Sequence, residues 1–289
     1  MAEPIALTIE PRVRDIGGFN VQRLLPAAAR RSVGPFVFLD RMGPHTFPAG
    51  EGMDVRPHPH IGLATVTYLF EGEIMHRDTL GSVQAIRPGD VNWMTAGSGI
   101  AHSERTPQQL RNGTMSAFGI QSWVALPKAY EETGAAFFHH PSATLPEAVQ
   151  GGARIRVIAG TAFGLRSPVA TFAETLYCDV TMQAGARLEL SKEHAERAIL
   201  PVSGRIAVGS HSVPDDTMIV LNSDMPVVIE ALEAARLMLV GGEPLDGPRH
   251  MWWNFVSSSK ERIEHAKADW QSGRFGTVPG ETEFIPLPE

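Results

Sequence analysis

Two stretches, Arg56-Pro57-His58-Pro59-His60 and Gly99-Ile100-Ala101-His102-Ser103-Glu104, decide how this chain is interpreted. Each carries two side chains that can bind a metal, at positions i and i+2. Successive side chains of an extended strand point to opposite faces, so this spacing places both members of a pair on one face. A barrel that brings the two strands together would create one site with three imidazoles and one carboxylate. The expected ligands are His58, His60, His102 and Glu104.

The sequence around these stretches alternates short strand-like segments with Gly and Pro turns. Residues 64–70 are rich in β-branched and aromatic types, which favour strands. Arg87-Pro88-Gly89-Asp90 is a strong turn signal. Strands this short, with turns at close intervals, predict an antiparallel sandwich or barrel. The strands expected in this half are 64–70, 74–78, 83–86, 91–94, 100–105 and 118–126.

The second half repeats the same rhythm without the metal-binding pairs. Pro201-Val202-Ser203-Gly204-Arg205-Ile206 echoes Tyr68-Leu69-Phe70-Glu71-Gly72-Glu73-Ile74, as though one barrel had been duplicated. At the place that matches the first histidine pair stands Lys192-Glu193-His194-Ala195-Glu196, and no His-x-Glu follows. We therefore expect a metal-free copy. Its expected strands are 154–159, 175–182, 187–190, 198–202, 205–208, 217–221, 227–230 and 236–240.

This pattern predicts three parts along the chain. They are an N-terminal metal-binding domain over 1–130, an interdomain linker over 131–146 and a C-terminal metal-free domain over 147–289. Within the linker, His139-His140 is interpreted as a loop doublet, because consecutive strand residues point to opposite faces.

One helix is predicted near the end of the chain, in the C-terminal domain. Ser258-Ser259-Lys260-Glu261 has the pattern of a capping box. Ile263, Ala266 and Trp270 lie at helical spacing, and Gly273 is a suitable stop. This amphipathic helix is expected to pack onto a barrel.

Composition excludes several classes of protein. Of the 289 residues, 43% are hydrophobic and 20% charged, which is typical of a globular protein and not of a disordered chain. A net charge of -7 argues against broad electrostatic binding to nucleic acid. The single cysteine, Cys178, allows no internal disulfide, and the start of the chain lacks a signal peptide pattern. No apolar stretch has the length of a membrane helix, so we expect a cytoplasmic protein. We also expect a monomer that has no membrane or nucleic-acid partner.

The expected ligand set suits several divalent ions. Fe(II) is the first expectation, and Mn(II), Ni(II), Cu(II) or Zn would also accept these ligands. A structural zinc site would be closed and usually contains cysteine, which is absent near these stretches. Metal-bound imidazoles usually form a hydrogen bond to an outer polar group, for which His76, Asp78 and Asn92 are candidates. A plain structural role is the favoured interpretation of each of these three residues. Trp93 and Met94 are either pocket or core residues.

Several segments together resemble the signatures of the pirin family of the cupin superfamily. Residues 57–69 (PHPHIGLATVTYL) resemble the first signature, and residues 33–40 the segment that precedes it. Trp253-Asn254-Phe255-Val256-Ser257-Ser258 is similar to a motif of the bacterial branch. The remaining matching segments are His76-Arg77-Asp78, residues 88–97 and residues 99–104.

The resemblance implies an all-β fold of two cupin domains, antiparallel β-barrels or jelly rolls that face each other, with a C-terminal helix. It also implies metal in the N-terminal barrel alone, with ligands at His58, His60, His102 and Glu104. This sequence departs from the pattern of many cupins, and some pirins, at Ala64, where they carry glutamate. The carboxylate ligand is therefore expected to be Glu104.

The resemblance further implies an activity of the quercetin 2,3-dioxygenase type, which opens the heterocycle of a flavonol with O2 and releases carbon monoxide. The metal would bind the flavonol 3-hydroxyl as its anion, and Glu104 is the candidate catalytic base. The partners would then be a small aromatic substrate and O2. Other relatives act as non-enzymatic regulators that bind partner proteins, and a redox-sensing regulator is the alternative. The fold alone does not choose between these functions.

Overall fold

A computed structural model describes residues 3–16 and 19–288 of this chain. Within these residues the chain forms β-strands and one α-helix. The strands of the first half are β1 (Ile5–Ile9), β2 (Arg12–Asp15), β3 (Asn20–Leu25), β4 (Phe36–Phe47), β5 (Asp54–His60), β6 (Leu63–Glu71), β7 (Ile74–Asp78), β8 (Val83–Ile86), β9 (Val91–Thr95), β10 (Ile100–Arg105), β11 (Met115–Ala125) and β12 (Ala136–His140).

The second half continues with further short strands and the helix. They are β13 (Glu147–Gln150), β14 (Ala153–Ala162), β15 (Leu165–Arg166), β16 (Thr175–Met182), β17 (Arg187–Leu190), β18 (Glu196–Ser203), β19 (Ile206–Val208), β20 (His211–Val213), β21 (Met218–Leu221), β22 (Val227–Ala231), β23 (Ala235–Gly242), β24 (His250–Trp252), β25 (Phe255–Ser257) and α1 (Lys260–Gln271). The predicted all-β class with a C-terminal helix is confirmed. Among the described residues, no helix is both long enough and apolar enough to cross a membrane.

Two compact units make up the chain, and neither is continuous in sequence. As far as their residues are described, the first barrel unit comprises Val13–Val21, Met42–Ser142 and Leu245–Glu289. The second barrel unit comprises Met1–Arg12, Gln22–Arg41 and Ala143–Pro244. Strands β3 and β4 each contribute residues to both units.

The sheets repeat one strand order. The strands after Met42 in the first barrel unit form a small sheet, β5-β10-β7-β8, and most of a larger one, β12-β9-β6-β11-β4-β3-β2. The second barrel unit contains a small sheet, β17-β22-β19-β20, and a larger one, β1-β21-β18-β23-β16-β14-β13, with β15 paired to β14. The paired strands are antiparallel throughout these four sheets where their register is described.

The two similar turn sequences of the two halves occupy equivalent positions in the structure. Gly72 follows β6 and Gly204 follows β18, with φ of 88° and 72°, a conformation that glycine adopts without a steric penalty. Each turn leads into the third strand of its small sheet, β7 or β19. The two units therefore align strand by strand from these glycines outward.

The terminal helix packs within the first barrel unit. Ser259 caps its N-terminus by accepting a hydrogen bond from the backbone N–H of Arg262, and the helix ends before Gly273, as expected. The side chains predicted to face a barrel are buried in a cluster with Ile61, which follows β5, and with residues of β10 and β25. That cluster consists of Ile61, Ala101, Phe255, Ile263, Ala266, Trp270 and Val278.

These units differ from the contiguous domains expected over 1–130 and 147–289. The terminal helix was expected with the C-terminal domain, but its apolar face lies against the first barrel unit. The expected linker 131–146 contains β12, which pairs with β9 along residues Ala136 to His140. The loop interpretation of His139-His140 is therefore wrong, because pairing with β9 places both residues in a strand.

Candidate metal centre

Two neighbouring strands of the first barrel unit bring three of the predicted ligands together. Antiparallel pairing of β5 and β10 sets His102 opposite His58 and Ile100 opposite His60. One nitrogen from each of His58, His60 and His102 lies within 4.8 Å of the others, and all three side chains are buried. The i,i+2 spacing thus placed both β5 histidines on the face that meets His102.

Backbone carbonyls fix the rings of the two β5 histidines. His58 Nδ1 lies 2.9 Å from the carbonyl oxygen of Arg56, and His60 Nδ1 lies 3.1 Å from that of Asn254. A carbonyl oxygen accepts hydrogen bonds only, so both rings donate from Nδ1. In a neutral ring the lone pair then resides on Nε2, the nitrogen that can bind a metal.

Burial keeps these imidazoles neutral. It lowers the pKa of His58 to about 4 and holds the pKa values of His60 and His102 well below their usual range, with the neighbouring histidines acting in the same direction. Metal binding requires the neutral ring, so the buried site holds its ligands in the correct protonation state.

The nitrogens fit a metal ion. His60 Nε2 and His102 Nε2 lie 3.1 Å apart. Two nitrogens bound to one ion at about 2.1 Å and at right angles lie about 3.0 Å apart. Since His60 donates from Nδ1, its Nε2 carries a lone pair, which either an N–H of His102 or a divalent cation would satisfy. This donor set, with three imidazoles and no thiolate, agrees with Fe(II), Mn(II), Ni(II), Cu(II) or Zn.

Glu104, the fourth predicted ligand, is buried close to this group but outside it. The β5–β10 register shifts between His102 and Glu104, which sets Glu104 opposite Val55. The Thr67 hydroxyl lies 2.9 Å from Glu104 Oε1 and donates to it. Burial raises the pKa of Glu104, although a hydrogen bond from Thr67 and the nearby His76 act in the opposite direction. The three histidines meet in this structure, and the carboxylate as a ligand stays a prediction.

Two of the three expected outer partners lie beside the histidine group. His76 Nδ1 is 3.4 Å from His102 Nδ1, and His76 Nε2 is 3.0 Å from Asp78 Oδ2. Asn92 instead bonds to His139, whose Nδ1 lies 2.8 Å from Asn92 Oδ1. Trp93 and Met94 are buried in β9.

A hairpin near the end of the chain completes the surroundings of His60. Strands β24 and β25 pair Trp252 with Phe255, which leaves Trp253 and Asn254 in the turn. Trp253 has a φ of 51°, which is strained for a residue with a side chain, and the turn carries the Asn254 carbonyl that holds His60. A Cβ at Gly62 would lie 2.0 Å from the carbonyl oxygen of Val256, so only glycine lets β25 approach β5 this closely.

Sequence reasoning missed three contacts of this site. The Asn254 carbonyl is a backbone group, and only the resemblance of residues 253–258 to a family motif gave any signal. Trp123 packs edge-on against His60, with ring centroids 5.2 Å apart. Thr67 lies in a strand with the usual β-branched pattern, so nothing in that pattern indicated a hydrogen bond to Glu104.

The second barrel unit has no such site at the matching positions. Leu190 pairs with Val227 where His58 pairs with His102, and both are buried and apolar. Lys192, two residues after Leu190, stands where the first unit has His60, and it is exposed. His194 is satisfied structurally, with Nδ1 2.7 Å from Glu174 Oε1 and Nε2 2.8 Å from the Thr161 carbonyl oxygen.

Comparison with known proteins identifies the family. The Pirin family model matches residues 18–124, and the model of the pirin C-terminal cupin domain matches residues 177–276. The latter supports a cupin fold for the second barrel as well.

Individual relatives cover nearly the whole chain. A pirin-like protein of Caulobacter vibrioides is 50% identical over 290 residues, covering 99% of this chain and all of the relative. Pirin-1 of Arabidopsis thaliana is 30% identical over 233 residues, with 76% of this chain and 77% of the relative covered. The crystal structure of quercetin 2,3-dioxygenase from Acinetobacter baumannii matches with a TM-score of 0.91 at 35% identity, covering 98% of this chain and 95% of that chain. The chain belongs to the pirin family, as a bicupin.

Proposed function

We propose that this protein is a metal-dependent dioxygenase of the quercetin 2,3-dioxygenase type, which opens the ring of a flavonol-like substrate with O2. The observation that carries the proposal is the buried group of His58, His60 and His102, with the Nε2 atoms of His60 and His102 3.1 Å apart. The similarity to the quercetin 2,3-dioxygenase of Acinetobacter baumannii, at 35% identity over 98% of the chain, supports the reaction class.

The three histidines would hold one divalent ion, with Fe(II) as the first candidate and Glu104 as the fourth ligand. Such an ion lowers the pKa of a bound hydroxyl and offers open positions to substrate and O2. The chain itself fixes the rings. The carbonyls of Arg56 and Asn254 hold the Nδ1 atoms of the β5 pair, so their Nε2 atoms keep one direction through a turnover.

Glu104 would take the proton from the flavonol 3-hydroxyl. It is the carboxylate that follows His102 by two residues on β10, and the Thr67 hydroxyl holds one of its oxygens. A base must lie within hydrogen-bond reach of the proton that it removes, and a carboxylate bordering the metal ligands meets that condition when the 3-hydroxyl binds there. Burial of the site excludes water, which strengthens the electrostatic interactions inside.

The test combines metal loading with a flavonol assay. Protein freed of metal and then loaded with Fe(II), Mn(II), Ni(II) or Cu(II) is mixed with quercetin, and O2 uptake and carbon monoxide release are measured. We expect equal molar amounts of both gases with at least one ion. His58→Ala should abolish both signals, and Glu104→Gln should lower turnover by about 100-fold or more if Glu104 is the base.

The matched control is Leu190→Ala, the position of His58 in the second barrel unit, which should retain turnover per bound metal. Turnover by metal-free protein or by His58→Ala would overturn the proposal. Stoichiometric metal binding without any flavonol turnover would also overturn it, and would favour the metal-binding regulator.

A further inference from the structure

His102 also contacts the buried imidazole of His76, which in turn contacts the carboxylate of Asp78. Strand β7 pairs with β10 so that Asp78 lies opposite His102 and His76 lies opposite Glu104. His76 Nδ1 is 3.4 Å from His102 Nδ1, and His76 Nε2 is 3.0 Å from Asp78 Oδ2. His76 is 3% exposed and Asp78 is fully buried.

The hydrogen bonds of Asp78 determine where the proton of His76 lies. Asp78 Oδ1 accepts the backbone N–H groups of Leu80 at 2.9 Å and Ser82 at 3.0 Å. A carboxylate that accepts two backbone N–H groups is held in its ionised form. Oδ2 is then an acceptor as well, so His76 carries its proton on Nε2 and donates it to Asp78.

The position of the proton on His76 influences the position of the proton on His102. A neutral His76 with its proton on Nε2 presents the lone pair of Nδ1 to His102. When Nε2 of His102 binds a metal ion, the proton of His102 lies on Nδ1 and is donated to His76. His76 therefore stabilises the tautomer of His102 that offers Nε2 to the metal, in competition with the tautomer that would donate from Nε2 to His60.

Packing holds His76 in place. Its ring stacks on Phe137 of β12, with centroids 4.3 Å apart and an angle of 11° between the planes. His76 therefore has a fixed ring plane from Phe137 and a fixed proton from Asp78.

His102 differs in this respect from the other two histidines. The carbonyls of Arg56 and Asn254 hold the β5 pair, whereas side chains hold His102. In the second barrel unit, Val208 pairs with Ile229 where His76 pairs with Glu104. The imidazole pair is therefore absent from the barrel that also lacks the metal histidines.

We propose that Asp78 and His76 are positioning residues for the metal site, and that they fix His102 in the tautomer that offers Nε2 to the metal. This inference rests on the metal site assigned under Proposed function. It adds a side-chain pair that sets the affinity of the site without touching the ion.

Three variants separate positioning from simple structural support. His76→Phe keeps a ring to stack on Phe137 and removes both nitrogens. His76→Gln retains an oxygen that can accept from His102 and an N–H that can donate to Asp78. The matched control is His194→Phe, which makes the same change in a buried histidine of the second barrel unit that contacts an exposed carboxylate.

The first readout is the affinity for Co(II) at fixed pH, measured by competition with a chelator. Loss of such an outer partner weakens metal binding by about 10- to 100-fold, which we expect for His76→Phe. His76→Gln should recover most of that loss, and His194→Phe should bind as the wild type does. A correctly folded His76→Phe with wild-type affinity would overturn the proposal.

The second readout needs no metal. The ¹⁵N shifts of the His76 ring in metal-free wild-type protein should show the proton on Nε2 and an unprotonated Nδ1. A His76 ring that lacks the proton on Nε2, or that carries one on Nδ1, would overturn the proposal, and this measurement stands even if His76→Phe does not fold. Failure of wild-type protein to bind any metal would instead refute the proposed metal site.

Discussion

The two barrel units share a strand order but differ in the chemistry of their side chains at matched positions. At three register-matched pairs, the first unit has polar residues and the second has aliphatic ones. His58 with His102 corresponds to Leu190 with Val227, Glu104 with His76 to Ile229 with Val208, and Thr67 with Gln121 to Ile199 with Leu239.

The first barrel unit carries the candidate metal site, whereas the second has aliphatic packing at the matching positions. Buried polar groups cost free energy unless they are paired, so the first barrel contains a hydrogen-bonded network that a metal ion would complete. The second barrel buries the same positions in one aliphatic cluster, where packing alone stabilises the fold. The fold tolerates either set of side chains, and the proposed metal chemistry belongs to the first barrel because His58, His60 and His102 occur there.

Removing His102 should have the largest effect, because the ion loses one of its three imidazoles. We expect His102→Ala to weaken metal binding by more than about 100-fold. Metal content after loading and gel filtration, measured by elemental analysis, tests this. Val227→Ala, the matched change in the second barrel, should retain full metal content, and equal loss in both variants would contradict the comparison.

Leu190→Ala should give the largest loss of stability. Deleting a buried leucine side chain costs about 2 to 5 kcal/mol of unfolding free energy, and Leu190 is 3% exposed within the aliphatic cluster. His58→Ala should cost less in metal-free protein, because it removes a buried polar ring. Urea unfolding of both metal-free variants measures this. A larger loss for His58→Ala would contradict the assignment of packing to the second barrel.

Metal addition should stabilise the first barrel. At a free metal concentration of 100 times Kd, binding to the folded state contributes about 2.7 kcal/mol. Thermal unfolding with and without metal should show this gain in the wild type and in Leu190→Ala. His102→Ala serves as the negative control, and a similar gain there would place the ion elsewhere.

Thr67→Val should have the smallest effect of these changes. It removes the hydroxyl that donates to Glu104 Oε1 while keeping a β-branched side chain in β6. A hydrogen bond of this kind contributes about 1 kcal/mol. We therefore expect a loss of about 1 kcal/mol, either in the free energy of metal binding or in the unfolding free energy of metal-free protein. Chelator competition measures the first quantity and urea unfolding the second. Ile199→Val, at the matching position, should leave metal affinity unchanged.

Local patterns predicted most of the fold. Strands such as β7, β8 and β16 have the predicted bounds, because alternating residues and Gly or Pro turns are local signals. The capped helix followed for the same reason. Strand β12 was missed, since Phe137, Phe138 and the following histidines lack alternation and form a strand through pairing with β9.

The candidate site was predictable where its residues lie at strand spacing. His58, His60 and His102 follow from two i,i+2 pairs. The sequence did not indicate that Asn254 would supply a carbonyl to His60, because the hairpin lies far along the chain. Nor did it show that His76 contacts both His102 and Asp78 while Asn92 bonds to His139, since these contacts depend on strand register. The division into units was unpredictable because the terminal helix packs in one cluster with Ile61 and Ala101, which lie far from it in the sequence and in another predicted domain.

Location of the ion tests the central claim most directly. Crystals of metal-loaded protein, measured at the absorption edge of the metal, give an anomalous difference map. The account predicts one strong peak per chain, within about 2.3 Å of the Nε2 atoms of His58, His60 and His102. A peak in the second barrel, or at a position that excludes these three nitrogens, would contradict it.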